Sequence, residues 1–358
     1  MYFLRKEEVS KSTNLGPFII FTENTYYGVF TKKNGKLKNI GNLVSLPTRV
    51  LPKEFRKNFD FVEDVVKFLV AKKSGVLYIK VYYEGEELVF EGLKFKNHIS
   101  KFKLKGNFNK TFENFLEYNN RNMLKLSSII LNILPNEVLN LISNQKIVYI
   151  EFNDSAEKIP IELIRTKKDV VIKRIMSSNK RYFSKNYFKN IVIIGNSWDN
   201  RFKHCYLEGE KVFQITKKRF SSEFICDKIS LEEFSKLAMQ TDSIFISSHS
   251  NNDGIDLGGF LLNKNTIKLI PKFPKMVFLN NCYFEGIENI IRYMLVNGTI
   301  SVIYSPFRIP DSKETMYFTS TFFDTFSKSY NTDLAFFIAS KSSKEKRYYN
   351  HLLYRFCI

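Results

Sequence analysis

Two reactive side chains, His249 and Cys282, stand at equivalent places in the sequence. The histidine closely follows an apolar run at 243–246, and the cysteine closely follows a second apolar run at 276–279. The thiolate form of cysteine is a nucleophile, and a histidine within hydrogen-bond reach can take its proton. The pair therefore indicates nucleophilic catalysis if the fold brings the two side chains together. The alternative is structural, because a lone cysteine packs as a small hydrophobe and most histidines are not catalytic.

No other histidine or cysteine follows an apolar run in this way. The others lie in basic, irregular or loop-like surroundings or near the last residue: His98, His204, His351, Cys205, Cys226 and Cys357. The cysteines include no Cys-x-x-Cys pair, so their spacing predicts neither a zinc site nor a disulfide framework. Few cysteines in a long chain fit a reducing cytosol.

The segments that must position this pair have the pattern of an α/β fold, because apolar runs alternate with segments of helical spacing. The runs are 147–152, 191–195, 243–248, 276–279 and 299–304, and the helical segments are 208–218, 231–240, 287–296 and 313–326. Such alternation is typical of parallel strands joined by crossover helices, and runs that are apolar throughout are expected for strands buried on both faces. We predict one mainly parallel sheet over about residues 145–305 with helices on both faces. Functional groups collect beyond the carboxyl ends of such strands, so His249 and Cys282 meet if their strands are neighbours.

The first 105 residues have a different pattern. Short runs rich in β-branched and aromatic residues alternate there with turn signals, which is typical of strands. From residue 110 to 143 the spacing becomes helical, with an interruption at Pro135. We therefore predict a smaller β-rich N-terminal domain at 1–105 and an α/β domain at 106–358.

The composition limits the partners and the location of the protein. Lysine and arginine number 55 and aspartate and glutamate number 36, which gives a formal net charge of +19. This charge favours a polyanion such as nucleic acid or an acidic partner. The other interpretation is a general lysine bias, because the basic residues are spread along the chain. Charges stand where a signal peptide needs an apolar run, and no apolar stretch approaches the roughly 18 residues of a membrane helix, so we expect a cytoplasmic protein without a membrane partner.

Several stretches resemble, in order, the CHAT domain, a caspase-like peptidase domain of the clan that also contains caspases, metacaspases and separases. The matching stretches are a helical segment at 107–143, the run 147–152 with Ile159-Pro-Ile-Glu-Leu163, the run 191–195, Leu207-Glu-Gly-Glu210, the histidine motif at 242–257, Val277-Phe-Leu-Asn-Asn-Cys282, the run 297–303 and closing helices at 317–339. The resemblance implies a caspase-like fold and peptide-bond hydrolysis, with no metal and no organic cofactor.

The resemblance also implies a role for each residue of the pair. Cys282 would be the nucleophile, and His249 would take its proton and later protonate the leaving amine. The backbone N–H groups of Ser250 and Cys282 would hold the oxyanion. The family usually has glycine where this chain has Ser250, whose Cβ narrows the approach that glycine permits.

Four polar residues are candidates for substrate binding. Asn280 stands where metacaspases carry an acidic residue for a basic P1 side chain, so that carboxylate is missing here. Asp253 and Asp256 lie in a glycine- and asparagine-rich loop after the histidine, and Asp311 ends the segment 305–311 after a later run. As walls of the cleft, these loops would present carboxylates to a basic side chain. The alternatives are an ordinary turn for the first loop and a strand-to-helix connector for the second.

The sequence thus predicts a regulated cysteine endopeptidase that cleaves a specific protein partner, in prokaryotic antiviral defence or signalling. Flanking domains in this clan commonly sense a signal or hold a partner, which implies a regulatory protein or ligand that acts through residues 1–105. The alternative is a catalytically silent CHAT-like scaffold that binds a protein or nucleic acid. Ser250 and the positive charge favour the scaffold, whereas the intact His249 and Cys282 favour the enzyme.

Overall fold

The structure of the chain is a computed structural model. It describes residues 2–5, 15–22, 25–33, 36–41, 46–47, 77–94, 97–105, 120–153, 156–157, 159–176, 188–196, 203–282, 284–310 and 312–358.

The elements in these ranges are numbered in chain order. The strands are β1 Tyr2–Arg5, β2 Leu15–Thr22, β3 Thr25–Lys33, β4 Lys36–Gly41, β5 Leu46–Pro47, β6 Leu77–Glu84, β7 Glu87–Lys94, β8 Asn97–Lys105, β9 Ile147–Phe152, β10 Val171–Ile175, β11 Asn190–Gly195, β12 Ser221–Ile225, β13 Ser243–Ser247, β14 Ser250–Asn251, β15 Gly254–Asp256, β16 Leu261–Leu262, β17 Met276–Asn280, β18 Ser301–Tyr304 and β19 Arg355–Cys357. The α-helices are α1 Asn120–Ile133, α2 Asn136–Ser143, α3 Lys203–Thr216, α4 Leu231–Gln240, α5 Ile287–Val296, α6 Lys313–Ser329 and α7 Thr332–Glu345.

Eleven of these strands form one large sheet in the order β12-β11-β13-β17-β18-β19-β10-β9-β6-β7-β8. Seven of the ten neighbouring pairs are parallel. The pairs β18–β19, β6–β7 and β7–β8 are antiparallel. The predicted α/β fold with a mainly parallel sheet flanked by helices is therefore confirmed.

The sheet has two halves of opposite direction, which the sequence did not predict. In the first half, the neighbouring strands β12, β11, β13, β17 and β18 are all parallel to one another. Strand β19 then pairs antiparallel with β18 and parallel with β10, which reverses the direction for β10, β9 and β6. The run 147–152 was expected to point the same way as the strands before His249 and Cys282. Its carboxyl end instead lies at the opposite edge of the sheet.

The central strands are buried on both faces, as their apolar composition predicts. Successive side chains of a strand point to opposite faces. On one face, Phe245 and Phe278 belong to a phenylalanine-rich core together with α6 and α7. The ring of Phe278 lies 5.2 to 6.5 Å, centroid to centroid, from Phe245, Phe318, Phe322, Phe323 and Tyr354. On the other face, Ile244 and Leu279 pack with α4 and α5.

Local signals set the ends of several helices. Helices α4 and α5 have the bounds that the periodicity predicts. Ser230 begins α4, because its hydroxyl accepts the N–H of Glu233 while the Glu233 carboxylate accepts the N–H of Ser230. This reciprocal capping box satisfies N–H groups that the first helical turn leaves without a partner.

The predicted domain boundary at residue 105 falls next to strands of the main sheet. Strand β6 pairs in parallel with β9, and β7 and β8 continue from it. A boundary at residue 105 would therefore cut through the sheet. The division of the chain into domains stays a prediction, and a boundary before Leu77 would leave all eleven strands together. Strands β1 to β5 form a separate five-stranded sheet.

We expect truncations at these two places to behave differently. A fragment 106–358 lacks β6 to β8, which uncovers the edge of β9 and removes the apolar side chains of Leu77, Val81 and Phe90, each at most 2% exposed. It should aggregate or melt at a clearly lower temperature than a fragment 77–358. Size-exclusion chromatography and thermal melting by circular dichroism measure this. Equal melting temperatures would show that β6 to β8 do not stabilise the rest of the sheet.

No single helix in the described ranges is long and apolar enough to cross a membrane. The helix pair Met123–Ile133 and Asn136–Ser143, which is bent by 111° at its break, satisfies the length and composition of a span only when the two are taken together.

Candidate active site

The strands that precede His249 and Cys282 are neighbours in the main sheet. Strands β13 and β17 are parallel, and Ser247 lies opposite Asn280 at their carboxyl ends. The N–H of Ser248 also donates to the Asn280 carbonyl at 3.4 Å, one step beyond the ladder. Each reactive residue lies two positions beyond the end of its strand. The two strands are therefore neighbours, which is the condition for the pair to meet, and this brings His249 and Cys282 to one edge of the sheet.

A cleft of about 150 Å³ opens at this edge, and both His249 and Cys282 line it. The rest of the lining comes from the first turns of α3, the ends of β13 and β17, the segment that leads into α6, and the first turn of α6. Since a histidine and a cysteine line one cleft, the arrangement can support nucleophilic attack by a thiolate.

The backbone around Cys282 is held by side chains. The Cys282 carbonyl accepts a hydrogen bond from the Ser250 hydroxyl at 2.5 Å and another from the Asn281 amide at 2.8 Å. The thiol donates to the carbonyl of Ile309, with sulfur and oxygen 3.7 Å apart. Cys282 is partly buried, so its thiol lies at the cleft wall on a backbone fixed from two directions.

Ser250 takes part in this arrangement in a way that the sequence did not predict. The carbonyl of His249 accepts the N–H of Asp256 at 2.9 Å, so Ser250 and Ile255 form a pair without mutual hydrogen bonds in the β14–β15 ladder. The N–H of Ser250 therefore points away from β15. Its hydroxyl, which a glycine would lack, binds the Cys282 carbonyl. The oxyanion role of the Ser250 and Cys282 N–H groups stays a prediction.

Replacing Ser250 with alanine should lower the free energy of unfolding by about 1 kcal/mol, the usual net value of one hydrogen bond. The change removes the hydroxyl that donates to Cys282 and keeps the Cβ and the backbone N–H. Denaturant unfolding measures it. The control is Ser128→Ala on α1, because that exposed hydroxyl donates within its own helix, to the Leu124 carbonyl. Equal losses in the two variants would contradict a specific contribution from Ser250.

Two of the predicted substrate-binding residues do not line the cleft. Asp253 is exposed at the turn between β14 and β15, where its N–H donates to the Asn251 side chain at 2.8 Å. The Asp256 carboxylate accepts the N–H of Gly258 at 2.7 Å, so it stabilises its own loop. These contacts fit the turn interpretation, and a role of either carboxylate in substrate binding stays a prediction.

The other predicted wall is at the cleft. Ile309, Pro310 and Ser312, on the segment that leads into α6, line it. Asp311 lies outside the described residues, and its contact with substrate stays a prediction.

Asn280 lines the cleft with a side chain that is 7% exposed. Its oxygen accepts the hydroxyl of Tyr354 at 2.6 Å, and its amide donates to the carboxylate of Glu208. Both ends of the side chain therefore bind protein groups. These contacts hold the end of β17 against Glu208 and Tyr354. A role of Asn280 in substrate binding stays a prediction.

The lining residues that sequence reasoning missed include three on one helix: His204, Cys205 and Glu208. All three come from the first turns of α3. The signal that could have found them is the stretch Leu207-Glu-Gly-Glu210, whose match to the family placed a helix entrance here. Among the described residues, no group of three or more histidine, cysteine, aspartate or glutamate side chains is arranged to hold a metal ion.

A buried ionic cluster holds the motif Ile159-Pro-Ile-Glu-Leu163 in place. The Glu162 carboxylate binds two nitrogens of Arg174, one of them at 3.0 Å, and lies 3.7 Å from Arg355. Burial opposes the ionisation of Glu162, but the two guanidinium groups outweigh it and lower the pKa of the carboxyl to about 2. Arg165, whose pKa burial lowers to about 10, donates to the Tyr354 carbonyl at 2.5 Å. The Tyr354 hydroxyl donates to Asn280 in the cleft lining, so Tyr354 connects this buried cluster to the cleft.

Comparison with known proteins identifies the fold. No family model matches the sequence, and no curated protein sequence is similar to it. A chain of the Saccharomyces cerevisiae separase–securin complex is 11% identical, with a TM-score of 0.57 over 86% of this chain and 32% of that chain. A chain of the complex of Porphyromonas gingivalis RgpB pro- and mature domains is 8% identical, with a TM-score of 0.40 over 70% of this chain and 76% of that one. The Arg-specific cysteine proteinase gingipain R is 10% identical, with a TM-score of 0.39 over 63% and 67% of the two chains.

This chain spans about a third of the length of the separase–securin chain that it matches. At these identities the likeness concerns the fold. The fold is caspase-like, with a mainly parallel sheet flanked by helices.

Proposed function

We propose that this protein is a CHAT-like cysteine endopeptidase in which Cys282 is the nucleophile and His249 is the general base. The observation that carries the proposal is the placement of the two side chains beyond the carboxyl ends of adjacent parallel strands, lining one cleft. A fold that serves only as a scaffold does not require this pair at this edge.

The chemistry of such a pair proceeds in two stages. His249 takes the proton of the Cys282 thiol, and the thiolate attacks the peptide carbonyl to form a tetrahedral oxyanion. The N–H groups of Cys282 and Ser250 would stabilise that oxyanion. Collapse breaks the C–N bond, and the protonated His249 gives its proton to the leaving amine. Water, activated by the same histidine, then hydrolyses the thioester and frees Cys282.

The biological setting is part of the proposal. We infer a protein substrate, a cytoplasmic location, and control by a regulatory protein or ligand that acts through the N-terminal residues. Prokaryotic antiviral defence or signalling is the setting that the resemblance to CHAT domains supports. The β-rich segment of β1 to β5, which pairs separately from the main sheet, is the candidate regulatory part.

Covalent labelling tests the assignment of the nucleophile without knowledge of the substrate. The full chain is incubated with peptidyl acyloxymethyl ketones that differ in their P1 residue, and the labelled peptide is identified by mass spectrometry. We expect the label on Cys282 and a strong dependence on P1. Labelling of all accessible cysteines at similar rates would contradict a peptidase site.

The second candidate function is the silent scaffold that binds a protein or nucleic acid. The contact of the Cys282 thiol with the Ile309 carbonyl favours it, because that contact occupies the thiol proton. The net charge of +19 favours a polyanion as its partner. Unselective labelling together with binding of single- or double-stranded nucleic acid would support the scaffold.

A further inference from the structure

A carboxylate that the proposed chemistry does not use lies in the cleft. Glu208, on α3, is 3% exposed and accepts hydrogen bonds from three side chains. The Ser247 hydroxyl donates to its Oε2 at 2.6 Å, and the Asn280 amide donates to the same oxygen. The Thr319 hydroxyl, on α6, donates to Oε1 at 2.5 Å.

The two donors to Oε2 stand at symmetric places. Ser247 ends β13 two residues before His249, and Asn280 ends β17 two residues before Cys282. The two donors also lie directly opposite each other in the parallel ladder. One oxygen atom therefore joins the ends of the two strands that carry the reactive pair. A change in the spacing or twist of these ends would change the distance between the imidazole and the thiol.

A close approach of α3 to the sheet places the Glu208 carboxylate at the strand ends. A Cβ on Gly209 would lie 3.0 Å from the Cα of Gly195 on β11, and a Cβ on Gly195 would lie 3.3 Å from the Cα of Gly209, so glycine at both positions favours this close approach. The neighbouring residue, Glu208, is thereby placed against the ends of β13 and β17.

The amide of Asn280 is oriented for the same contact. Its oxygen accepts the Tyr354 hydroxyl at 2.6 Å, which leaves the NH₂ group directed at Glu208. An aspartate at 280 would face Glu208 with a second carboxylate, and like charges in a buried site repel. An asparagine at this position avoids that repulsion and donates to Glu208 instead.

We propose that Glu208 is a positioning residue that sets the distance between His249 and Cys282 by joining the ends of β13 and β17. This inference rests on the proposed function, since it assigns Glu208 a role in the reactivity of that pair. Glu208 acts through Ser247 and Asn280 and has no direct part in the transfer of protons.

The test measures the reactivity of Cys282 with iodoacetamide between pH 5 and pH 9, by mass spectrometry of the Cys282 peptide from the full chain. A histidine close to the thiol keeps a cysteine reactive below neutral pH, whereas an isolated thiol has a pKa of about 8.5 and reacts slowly there. The proteins compared are wild type, His249→Ala, Glu208→Ala, Glu208→Gln and the control Glu210→Ala. Glu210 lies on the same helix and does not line the cleft. Cys226 in each protein reports general unfolding.

We expect wild type and Glu210→Ala to stay reactive at pH 6. Glu208→Ala should lose this low-pH reactivity as His249→Ala does, while the rate at Cys226 stays unchanged. Misplacement of a catalytic group by about 1 Å costs roughly 100-fold in rate, so a loss of that size is expected at pH 6. Glu208→Gln should recover most of it, because the amide oxygen can accept from Ser247 and Asn280 and the Thr319 hydroxyl can turn to accept. A role in stability alone would not move the pH profile.

The two failures are distinguishable. If wild type and His249→Ala share one profile, the proposed function is wrong and the role of Glu208 falls with it. If His249→Ala loses the low-pH reactivity and Glu208→Ala keeps it, only the role of Glu208 is overturned. If Glu208→Ala does not fold, Ser247→Ala replaces it, because it removes one of the two donors at the strand ends. A wild-type profile for Ser247→Ala would then overturn the proposal.

Discussion

Replacing Cys282 with alanine should abolish proteolysis while leaving the protein folded. We expect a loss in kcat on the order of 10⁶-fold, the size of the effect when a protease nucleophile is removed. The fold should survive, since Cys282 is only partly buried at a cleft wall and its thiol donates to the Ile309 carbonyl with sulfur and oxygen 3.7 Å apart. The measurement compares cleavage of a protein or peptide substrate by the two proteins, with folding checked by circular dichroism.

His249→Ala should have nearly the same effect, and the double variant should be no worse than either single one. The two residues would act as a unit, so the loss of either removes the reactive thiolate and the effects do not add. Additive losses would mean that the histidine acts apart from the cysteine.

The control cysteine for this comparison follows from the structure. Cys205 lines the same cleft and Cys357 is buried in β19, so a change at either one disturbs the cleft or the core. Cys226 is partly buried and does not line the cleft. Cys226→Ala should therefore cleave at the wild-type rate. Equal cleavage by wild type and Cys282→Ala would end the case for Cys282 as the nucleophile.

Replacing Glu162 with glutamine should produce the largest loss of stability among the polar substitutions considered. The side chains of Glu162, Arg174 and Arg355 are at most 5% exposed. Loss of the carboxylate removes the ion pair that two buried guanidinium groups share, and breaking a buried ion pair in this way costs about 3–5 kcal/mol. Denaturant unfolding at pH 7 measures the loss.

The loss of folding stability at acid pH should also depend on Glu162. The pKa of Glu162 falls from 4.5 to about 2 on folding. The unfolded chain therefore binds more protons than the folded one between these values, and stability falls as the pH falls. The contribution of Glu162 is complete above pH 4.5 and is lost by about pH 2. The gap between wild type and Glu162→Gln should narrow over that range.

Glu157→Gln is the matched control, because it makes the same chemical change in the same segment. Glu157 pairs with Arg292 at 2.8 Å, but their side chains are 19% and 36% exposed. Ion pairs near the surface contribute about 0–1 kcal/mol. A loss as large for Glu157→Gln as for Glu162→Gln would show that burial does not decide the cost.

Local patterns determined much of the architecture from the sequence. The bounds of α4 and α5 follow from periodicity and from the Ser230 capping box, which depend on residues three or four positions apart. The apolar runs predicted β13 and β17, and the positions just beyond them singled out His249 and Cys282. These features were predictable because each depends on neighbours in the chain and on the general rule for carboxyl ends of parallel strands.

Only the tertiary structure decided the rest of the cleft and the sheet. Glu208 meets Ser247 and Asn280 across 39 and 72 residues of chain, and no local pattern encodes those contacts. Strand β19 lies between β18 and β10, antiparallel to the first and parallel to the second, so it reverses the direction of half of the sheet. This order depends on pairing between strands that are distant in the chain. The positions of Asp253 and Asp256 also depend on the fold. Both lie on the β14–β15 hairpin, whose pairing sets their positions, and neither is among the residues that line the cleft. Residue type alone does not reveal this placement.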